Sequence, residues 1–192
     1  MNKKSLRKKY KALRIALAPQ HLALFSEQIT ELILSHFQLE EKTISLFLPI
    51  ERQKEINTYT LLERSMNIGA RVSVPIADFD SHDLHHILYT NETTLKLNEW
   101  GIPEPISGET LSEKELDFVF VPLLAADKYG NRVGYGKGFY DRFLSKCSPH
   151  CVFIGLHLFD LESIIDDVLE TDVRLHYIAM PDRIWKCAPL NG

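Results

Sequence analysis

Residues 117–146 form the segment that most limits how this chain can fold. An apolar, β-branched run at Asp117–Pro122 predicts a buried strand, and a polar turn follows it. Three glycines then occupy alternate positions, at Gly134, Gly136 and Gly138, before helical spacing continues to about Lys146. A strand that breaks into a glycine-rich loop before a helix is typical of an α/β protein.

The glycine loop is a candidate site for a nucleotide phosphate. Glycine permits positive φ and close approach, and backbone N–H groups near a helix N-terminus bind anions. Arg132 and Lys137 flank the loop and are placed to neutralise phosphate oxygens, and Asp141 is a candidate magnesium ligand. On the glycine spacing alone, an ordinary tight turn is an equally good interpretation. The loop matches neither the Walker A pattern nor the dinucleotide fingerprint.

The rest of the chain alternates helical and strand patterns. The spacing predicts helices over 3–17, 19–37 and 58–66, and strands over 43–48, 71–75, 84–88, 117–122, 152–156 and 175–180. Residues 91–108 are expected to be irregular, and residues 84–88 to lie near a sheet edge. Strands separated by helices favour an α/β fold with three layers, in which a mostly parallel sheet carries helices on both faces. Ligands bind such sheets beyond the carboxyl ends of the strands.

Composition excludes several classes of protein. The chain has 192 residues, 45% of them hydrophobic and 25% charged, which suits one globular domain. No apolar run approaches the roughly 20 residues that cross a bilayer, so no membrane partner is expected. Cys147, Cys151 and Cys187 lack metal-binding spacing and are odd in number, which predicts a reducing cytoplasm.

The charge is distributed unevenly along the chain. The net charge is −4, but seven cations and no acid occupy the first fourteen residues. The acidic remainder argues against a nucleic-acid-binding surface. Lys3, Arg7, Lys11 and Arg14 share one face of the first predicted helix, where several cations can converge on one ligand; a solvated helix face is the alternative.

The string NRVGYGKGFYD at Asn131–Asp141 resembles the signature of the 5-formyltetrahydrofolate cyclo-ligase family. The resemblance extends to KKSLR at Lys3–Arg7, to Leu46–Leu48 with EINT at Glu55–Thr58, and to WGIPEP at Trp100–Pro105. It implies one domain spanning 1–192, with a Rossmann-like fold of the CoA-transferase-like type.

The implied reaction is an ATP-dependent cyclisation. 5-Formyltetrahydrofolate becomes 5,10-methenyltetrahydrofolate through a phosphorylated formyl (iminophosphate) intermediate, with release of ADP and phosphate. ATP and Mg²⁺ are the implied cofactor and metal, the partners are these small-molecule substrates, and a monomer is expected. Phosphoryl transfer of this kind needs positioning and charge stabilisation rather than a covalent nucleophile.

The resemblance also assigns roles to individual residues. For ATP it implies Lys3, Lys4, Ser5, Leu6, Arg7, Arg132, Val133, Gly134, Tyr135, Gly136, Lys137, Gly138, Phe139 and Tyr140. For the folate it implies Leu48, Glu55 and Trp100, together with Tyr135, Gly136, Lys137, Gly138 and Phe139. Asp141 is the implied metal ligand, and Arg132, Lys137 and Tyr140 are the expected catalytic residues.

Several of these residues have a structural alternative. Glu55 suits a helix start, Trp100 a loop anchor on the core, and Asp141 the first turn of a helix. Chemically, one carboxylate can accept paired N–H donors from a pterin edge, and tryptophan can stack on its ring. Lys137 and Phe139 depart from a common glycine and a common tyrosine of the family.

The second metal ligand and the overall class have alternatives too. A second metal-associated aspartate of some members aligns with His176, with Asp172 nearby as a substitute. The neighbouring His82, His85 and His86 favour a solvated or incidental role over a metal site. A binding protein without turnover and a sugar-phosphate or CoA-processing enzyme are the other classes that remain open.

Overall fold

The computed structural model describes residues 1–188, and one eight-stranded sheet forms its centre. The strands of the protein are β1 Thr43–Leu46, β2 Arg71–Asp78, β3 Asp83–Leu88, β4 Leu95–Leu97, β5 Pro103–Pro105, β6 Thr110–Leu111, β7 Phe118–Pro122, β8 Ala125–Ala126, β9 Arg132–Val133, β10 Val152–Leu156, β11 Tyr177–Met180 and β12 Arg183–Lys186. The helices are α1 Lys3–Ala16, α2 Pro19–His36, α3 Tyr59–Asn67 and α4 Phe139–Leu144, with 3₁₀ turns at Glu51–Gln53 and Glu113–Glu115.

The central strands are parallel, as the sequence predicts. The sheet order is β12-β11-β10-β7-β1-β2-β3-β6, and the pairs from β11 to β2 are all parallel. Strands β12, β3 and β6, at the two sides of the sheet, pair antiparallel with their neighbours. All four residues of β1 are buried, which is the pattern of a strand covered on both faces.

Helices cover both faces of the sheet. Side chains of α2 and α3 pack with Ile44, Leu46 and Phe120 in one core cluster. On the opposite face, Phe143 and Leu144 of α4 pack with alternate residues of β7 in a second cluster. Successive side chains of a strand point to opposite faces, so the neighbours in β7 divide between the two clusters. The three-layer α/β prediction is confirmed.

Helix α1 lies beside the sheet rather than on either large face. Its apolar stripe, which includes Leu6 and Tyr10, packs against Leu124, Ala125 and Val133 in a third cluster. These three residues belong to the β8–β9 hairpin and the residue before it. The hairpin directly precedes the glycine loop, so this packing holds the basic helix next to that loop.

Some elements differ from the sequence-based expectations. The predicted irregular region 91–108 contains the short pair β4–β5, and the first strand ends at Leu46 rather than at Leu48. The sequence patterns did not indicate β8, β9 or β12, and residues 157–176 cross from β10 to β11 without a helix. Residues 189–192 of the predicted single domain lie outside the described residues. Within residues 1–188, no helix is both long and apolar enough to cross a membrane.

The burial of Phe120 predicts that truncating its side chain will strongly lower the free energy of unfolding. This side chain is fully buried between two paired strands, so Phe120→Ala should lower the free energy of unfolding by about 3–5 kcal/mol. Leu24→Ala, on the exposed side of α2, should cost about 0.5 kcal/mol or less. Urea unfolding of both variants measures the difference, and equal midpoints would contradict this account of the core.

Candidate active site

A cavity of about 980 Å³ opens at the carboxyl ends of the parallel strands β1, β2 and β7. Its walls come from the loop after β1, the ends of β2 and β7, the glycine loop and residues 169–173. This is the position at which open α/β sheets bind ligands. The predicted site residues that line it are Lys3, Arg7, Leu48, Glu55, Trp100, Arg132, Gly134, Tyr135, Gly136, Lys137, Gly138, Phe139, Tyr140 and Asp141.

Four predicted ATP-binding residues do not line the cavity. Leu6 and Val133 are fully buried in the third core cluster, so their side chains do not reach the cavity. Lys4 and Ser5 are exposed elsewhere on α1. Helical periodicity explains the division, because positions three and seven share a face while the residues between them point elsewhere.

The glycine loop passes directly beneath Arg7. The Arg7 Nε donates a hydrogen bond of 2.9 Å to the carbonyl oxygen of Gly134. Gly136 has φ of 95°, and a Cβ placed on it would lie 3.3 Å from the guanidinium carbon of Arg7. Gly138 has φ of 73° and is the N-cap of α4. Helix α4 has only six residues, and the cations Lys3, Arg7 and Arg132 line the same cavity.

Arg132 and Asp141 form an ion pair in the cavity wall. The Arg132 Nη2 lies 2.7 Å from Asp141 Oδ1, and the same oxygen accepts a 3.1 Å hydrogen bond from the amide of Val173. Arg132 also donates to the carbonyl oxygen of Val173. Burial lowers the pKa of the Arg132 guanidinium and Asp141 opposes that effect, so the group stays charged. Asp141 thus links β9 to the loop before β11, rather than only starting a helix.

The donor set around Asp141 suits Mg²⁺ rather than a metal held wholly by protein. Among residues 1–188, no group of three or more His, Cys, Asp or Glu side chains is arranged to hold a metal ion. Mg²⁺ commonly binds one or two carboxylates together with substrate phosphates. Asp172 and His176 are the two candidates for a second metal ligand. Asp172 lines the cavity, where it pairs with Lys3. His176 instead accepts a hydrogen bond from the amide of Phe153.

Glu55 is a buried carboxylate that faces the cavity. Its Oε1 accepts a 2.5 Å hydrogen bond from the Tyr135 hydroxyl, and its Oε2 accepts a 2.8 Å bond from the amide of Ile50. Burial raises the pKa of Glu55 above its usual range, while these hydrogen bonds and Arg14 lower it. None of its bonds goes to an amide of α3, so the helix-start interpretation does not account for it.

Aromatic side chains form the opposite wall. Phe79 lies 5.3 Å from the ring of Trp100 and 5.3 Å from that of Phe139, measured between ring centroids. Trp100 remains 46% exposed, so it is not an anchor in the core. Phe79 lies in the turn between β2 and β3 and carried no signal in the sequence. Arg14 was also not assigned to the site, although its spacing from Arg7 on α1 placed it on the same face.

The three neighbouring histidines do not form a metal site. His86 is buried and stacks on Phe143 at 4.2 Å, and burial lowers its pKa to about 3. His82 packs near Phe139 at the rim of the cavity. Of the three histidines for which a solvated or incidental role was predicted, His86 is part of the core under α4.

The fold and the cavity together define an α/β nucleotide-dependent enzyme with room for a second, flat-ringed substrate. Cations and a glycine loop line this cavity together with a buried carboxylate and several aromatic rings. Residues 1–180 match the sequence profile of the 5-formyltetrahydrofolate cyclo-ligase family, and the chain belongs to that family. It is thus an ATP-dependent ligase of folate metabolism, as its sequence predicts.

Individual relatives agree with this assignment. The 5-formyltetrahydrofolate cyclo-ligase of Mus musculus is 32% identical over 77% of this chain and 76% of its own length. The Escherichia coli K12 enzyme of the same name is 30% identical over 75% of this chain and 80% of its own. The solution structure of Aquifex aeolicus 5,10-methenyltetrahydrofolate synthetase matches with a TM-score of 0.83 and 24% identity, over 100% of this chain and 96% of that one. That last likeness supports the fold.

The loop geometry predicts unequal effects of alanine at two of its glycines. Gly136→Ala should lower the free energy of unfolding by about 1–2 kcal/mol, since a side chain at positive φ is strained and meets Arg7. Gly134→Ala is the matched control, because φ there is not positive and its Cβ would have no neighbour within 4 Å. Thermal unfolding without ligands separates the two, and equal melting temperatures would contradict the described loop.

Proposed function

We propose that the cavity binds ATP over the glycine loop and 5-formyltetrahydrofolate against Glu55 and Trp100, with the γ-phosphate next to the formyl oxygen. The observation that carries the proposal is that two kinds of group line one cavity. Lys3, Arg7 and Arg132 line it together with the glycine loop, and the Glu55 carboxylate and the rings of Phe79 and Trp100 line it as well. A triphosphate and a pterin differ in these same properties, since one is a polyanion and the other a flat ring with N–H donors.

The chemistry requires activation of a poor leaving group. In the proposed first step the formyl oxygen attacks the γ-phosphorus, the bond from that phosphorus to ADP breaks, and an iminophosphate forms. In the second step N10 attacks the former formyl carbon, the carbon–oxygen bond breaks, and phosphate leaves. N10 loses its proton as the 5,10-methenyl cation forms, and the departing phosphate is the nearest base. No bond to the protein is needed in either step.

Arg132, Lys137 and Tyr140 are the proposed catalytic residues. Arg132 is fixed by Asp141 and by the carbonyl oxygen of Val173, so its charge is held in place before the substrates arrive. The Lys137 side chain is exposed on the loop and is free to follow the transferring phosphoryl group. Burial raises the pKa of the Tyr140 hydroxyl, which therefore stays protonated and can donate to an oxygen that gains charge.

The remaining loop residues and α1 hold the nucleotide in this scheme. Backbone N–H groups between Gly134 and Phe139 contact the phosphates, since φ at Gly136 and Gly138 leaves the loop open toward the cavity. Lys3 and Arg7 add charge from the helix above. Asp141 would hold Mg²⁺ through the oxygen that does not face Arg132, and the ion would neutralise phosphate charge.

Leu48, Glu55 and Trp100 are the proposed folate contacts. The Glu55 carboxylate accepts paired N–H donors from the pterin edge, and Trp100 with Phe79 offers a flat apolar surface for the ring. Leu48 follows β1 and adds an apolar contact at the cavity floor. The cytoplasmic location, the monomeric state and the absence of nucleic-acid or membrane partners stay predictions of the sequence; free thiols at Cys147, Cys151 and Cys187 support the first of them.

Transfer of oxygen-18 tests the intermediate directly. With substrate labelled at the formyl oxygen and Mg-ATP, the labelled oxygen should appear in the released phosphate, because that oxygen attacks the γ-phosphorus. Methenyl absorbance and ADP release should rise in equal amounts, and mass spectrometry of the phosphate measures the label. Turnover with unlabelled phosphate would overturn the iminophosphate route. Binding without turnover would favour a folate-binding protein, and neither binding nor turnover would favour a different substrate class.

The position of Lys3 and Arg7 predicts a selective effect on ATP. The double variant Lys3→Ala/Arg7→Ala should raise KM for ATP at least about tenfold, since losing roughly 1.4 kcal/mol of phosphate contact has that effect. KM for 5-formyltetrahydrofolate should change much less. Lys4→Ala is the matched control, because that exposed cation on the same helix does not line the cavity. A larger rise in the folate KM, or an equal effect of Lys4→Ala, would contradict the assignment.

A further inference from the structure

Arg14 is a buried cation that takes no place among the proposed substrate contacts. It is 5% exposed, it does not line the cavity, and it lies two turns along α1 from Arg7. Its Nη1 donates a 2.8 Å hydrogen bond to the Tyr135 hydroxyl, and its Nη2 donates a 2.5 Å bond to the carbonyl oxygen of Leu123. A buried charge of this kind is costly unless it is paired, which raises the question of what it does.

The contacts beyond Arg14 lead to Glu55. The Tyr135 hydroxyl, which accepts from Arg14, donates in turn to Glu55 Oε1 at 2.5 Å. Arg14 Nη1 itself lies 3.9 Å from the same carboxylate oxygen. The three side chains come from α1, the glycine loop and the loop after β1, so they join three separate segments of the chain. Only Glu55 and Tyr135 of the three reach the cavity surface.

The direction of each hydrogen bond is set by the donor inventory. A guanidinium can only donate, so the Tyr135 oxygen must accept from Arg14 and its single proton must go to Glu55. A proton on Glu55 would sit on Oε1, which faces the Tyr135 hydroxyl, or on Oε2, which faces the Ile50 amide, and in either place it would weaken an observed hydrogen bond. Burial raises the pKa of the Tyr135 hydroxyl, so it keeps the proton that this arrangement uses. The chain of bonds therefore favours a carboxylate that only accepts.

We propose that Arg14 is a positioning residue, which through Tyr135 keeps the Glu55 carboxylate oriented and in its accepting form for the folate. This inference rests on the proposed contact between Glu55 and the pterin edge. It also explains why the first helix matters to the folate half of the cavity as well as to the nucleotide half. Lys3 and Arg7 act on one ligand, and Arg14 acts on the surface that binds the other.

The ionisation of Glu55 reflects a balance of nearby groups. Burial disfavours its charged form, whereas Tyr135, the Ile50 amide and Arg14 favour it, and the neutral phenol of Tyr140 is the remaining titratable group in range. A carboxyl with a raised pKa loses its accepting form as pH falls through that pKa. Removing Arg14 raises the pKa further, so the loss should begin at a higher pH.

The test compares pH profiles of KM for 5-formyltetrahydrofolate between about pH 5.5 and 9. Arg14→Met keeps similar bulk without charge, and it should move the rise in KM on the acid side by at least about one pH unit. That is roughly a tenfold weaker apparent affinity on the acid limb. KM for ATP should change much less, and Arg14→Lys should restore part of the original profile. Lys8→Met, which removes an exposed cation from the same helix, is the matched control and should leave the profile unchanged.

Two further variants test the same chain of hydrogen bonds. Tyr135→Phe breaks the same chain of bonds and should move the acid limb in the same direction, even if Arg14→Met folds poorly. Glu55→Gln should raise KM and remove the limb, and adding Arg14→Met to it should cause little further change. An Arg14→Met protein with normal circular dichroism and an unmoved limb would overturn the role of Arg14. If Glu55→Gln binds the folate as the wild type does, the proposed folate contact fails instead.

Discussion

Packing of α1 against the β8–β9 hairpin is the constraint on which the rest of the site depends. Leu6 is fully buried in this contact and Tyr10 nearly so, which fixes the rotation of the helix about its axis. Once that rotation is set, helical periodicity directs Lys3 and Arg7 to the cavity, where Arg7 bonds to the glycine loop. Apolar burial thus orients charges that would otherwise extend into solvent, so a core contact determines the electrostatics of the cavity.

The cations gathered by this packing differ in how they are neutralised. Lys3 pairs with Asp172 and Arg132 pairs with Asp141, whereas Arg7 donates to the neutral carbonyl of Gly134. In the proposed arrangement, a triphosphate would compete with Asp172 for Lys3 but would meet the charge of Arg7 directly. The two aspartates also limit repulsion among cations that are held close together before the ligand arrives. The loop end of the cavity is therefore positive without an unpaired buried charge in the described part of the wall.

The sequence predicts those parts of the protein that depend on local patterns. Helical spacing located α1, and the glycines and flanking charges indicated the loop, because each signal lies within a few residues. The contacts that join distant segments were not predictable in this way. Tyr135 and Glu55 are 80 positions apart in the sequence but hydrogen-bond in the fold. Phe79 likewise contacts Trp100 and Phe139, which are distant from it in the sequence. The two-residue strands β8 and β9 are too short to show an alternating hydrophobic pattern. The hairpin against which α1 packs was therefore not predicted from the sequence.

Two buried side chains of opposite charge in the cavity wall are stabilised in the same way, by hydrogen-bonding groups around them. At the loop end a buried cation, Arg132, is held by a carboxylate and a carbonyl oxygen. Elsewhere in the same wall a buried carboxylate, Glu55, is held by a hydroxyl, an amide and a nearby guanidinium. Protein groups hold each charged side chain in place, and each also lines the cavity. Little reorganisation is therefore needed when a substrate of opposite charge or hydrogen-bonding type binds. Tyr135 belongs to both parts of the wall, since its backbone forms the glycine loop while its side chain bonds to Glu55. In the proposed arrangement, a shift of the loop on nucleotide binding would also move the Tyr135 hydroxyl that orients Glu55, so Tyr135 would couple the two binding events.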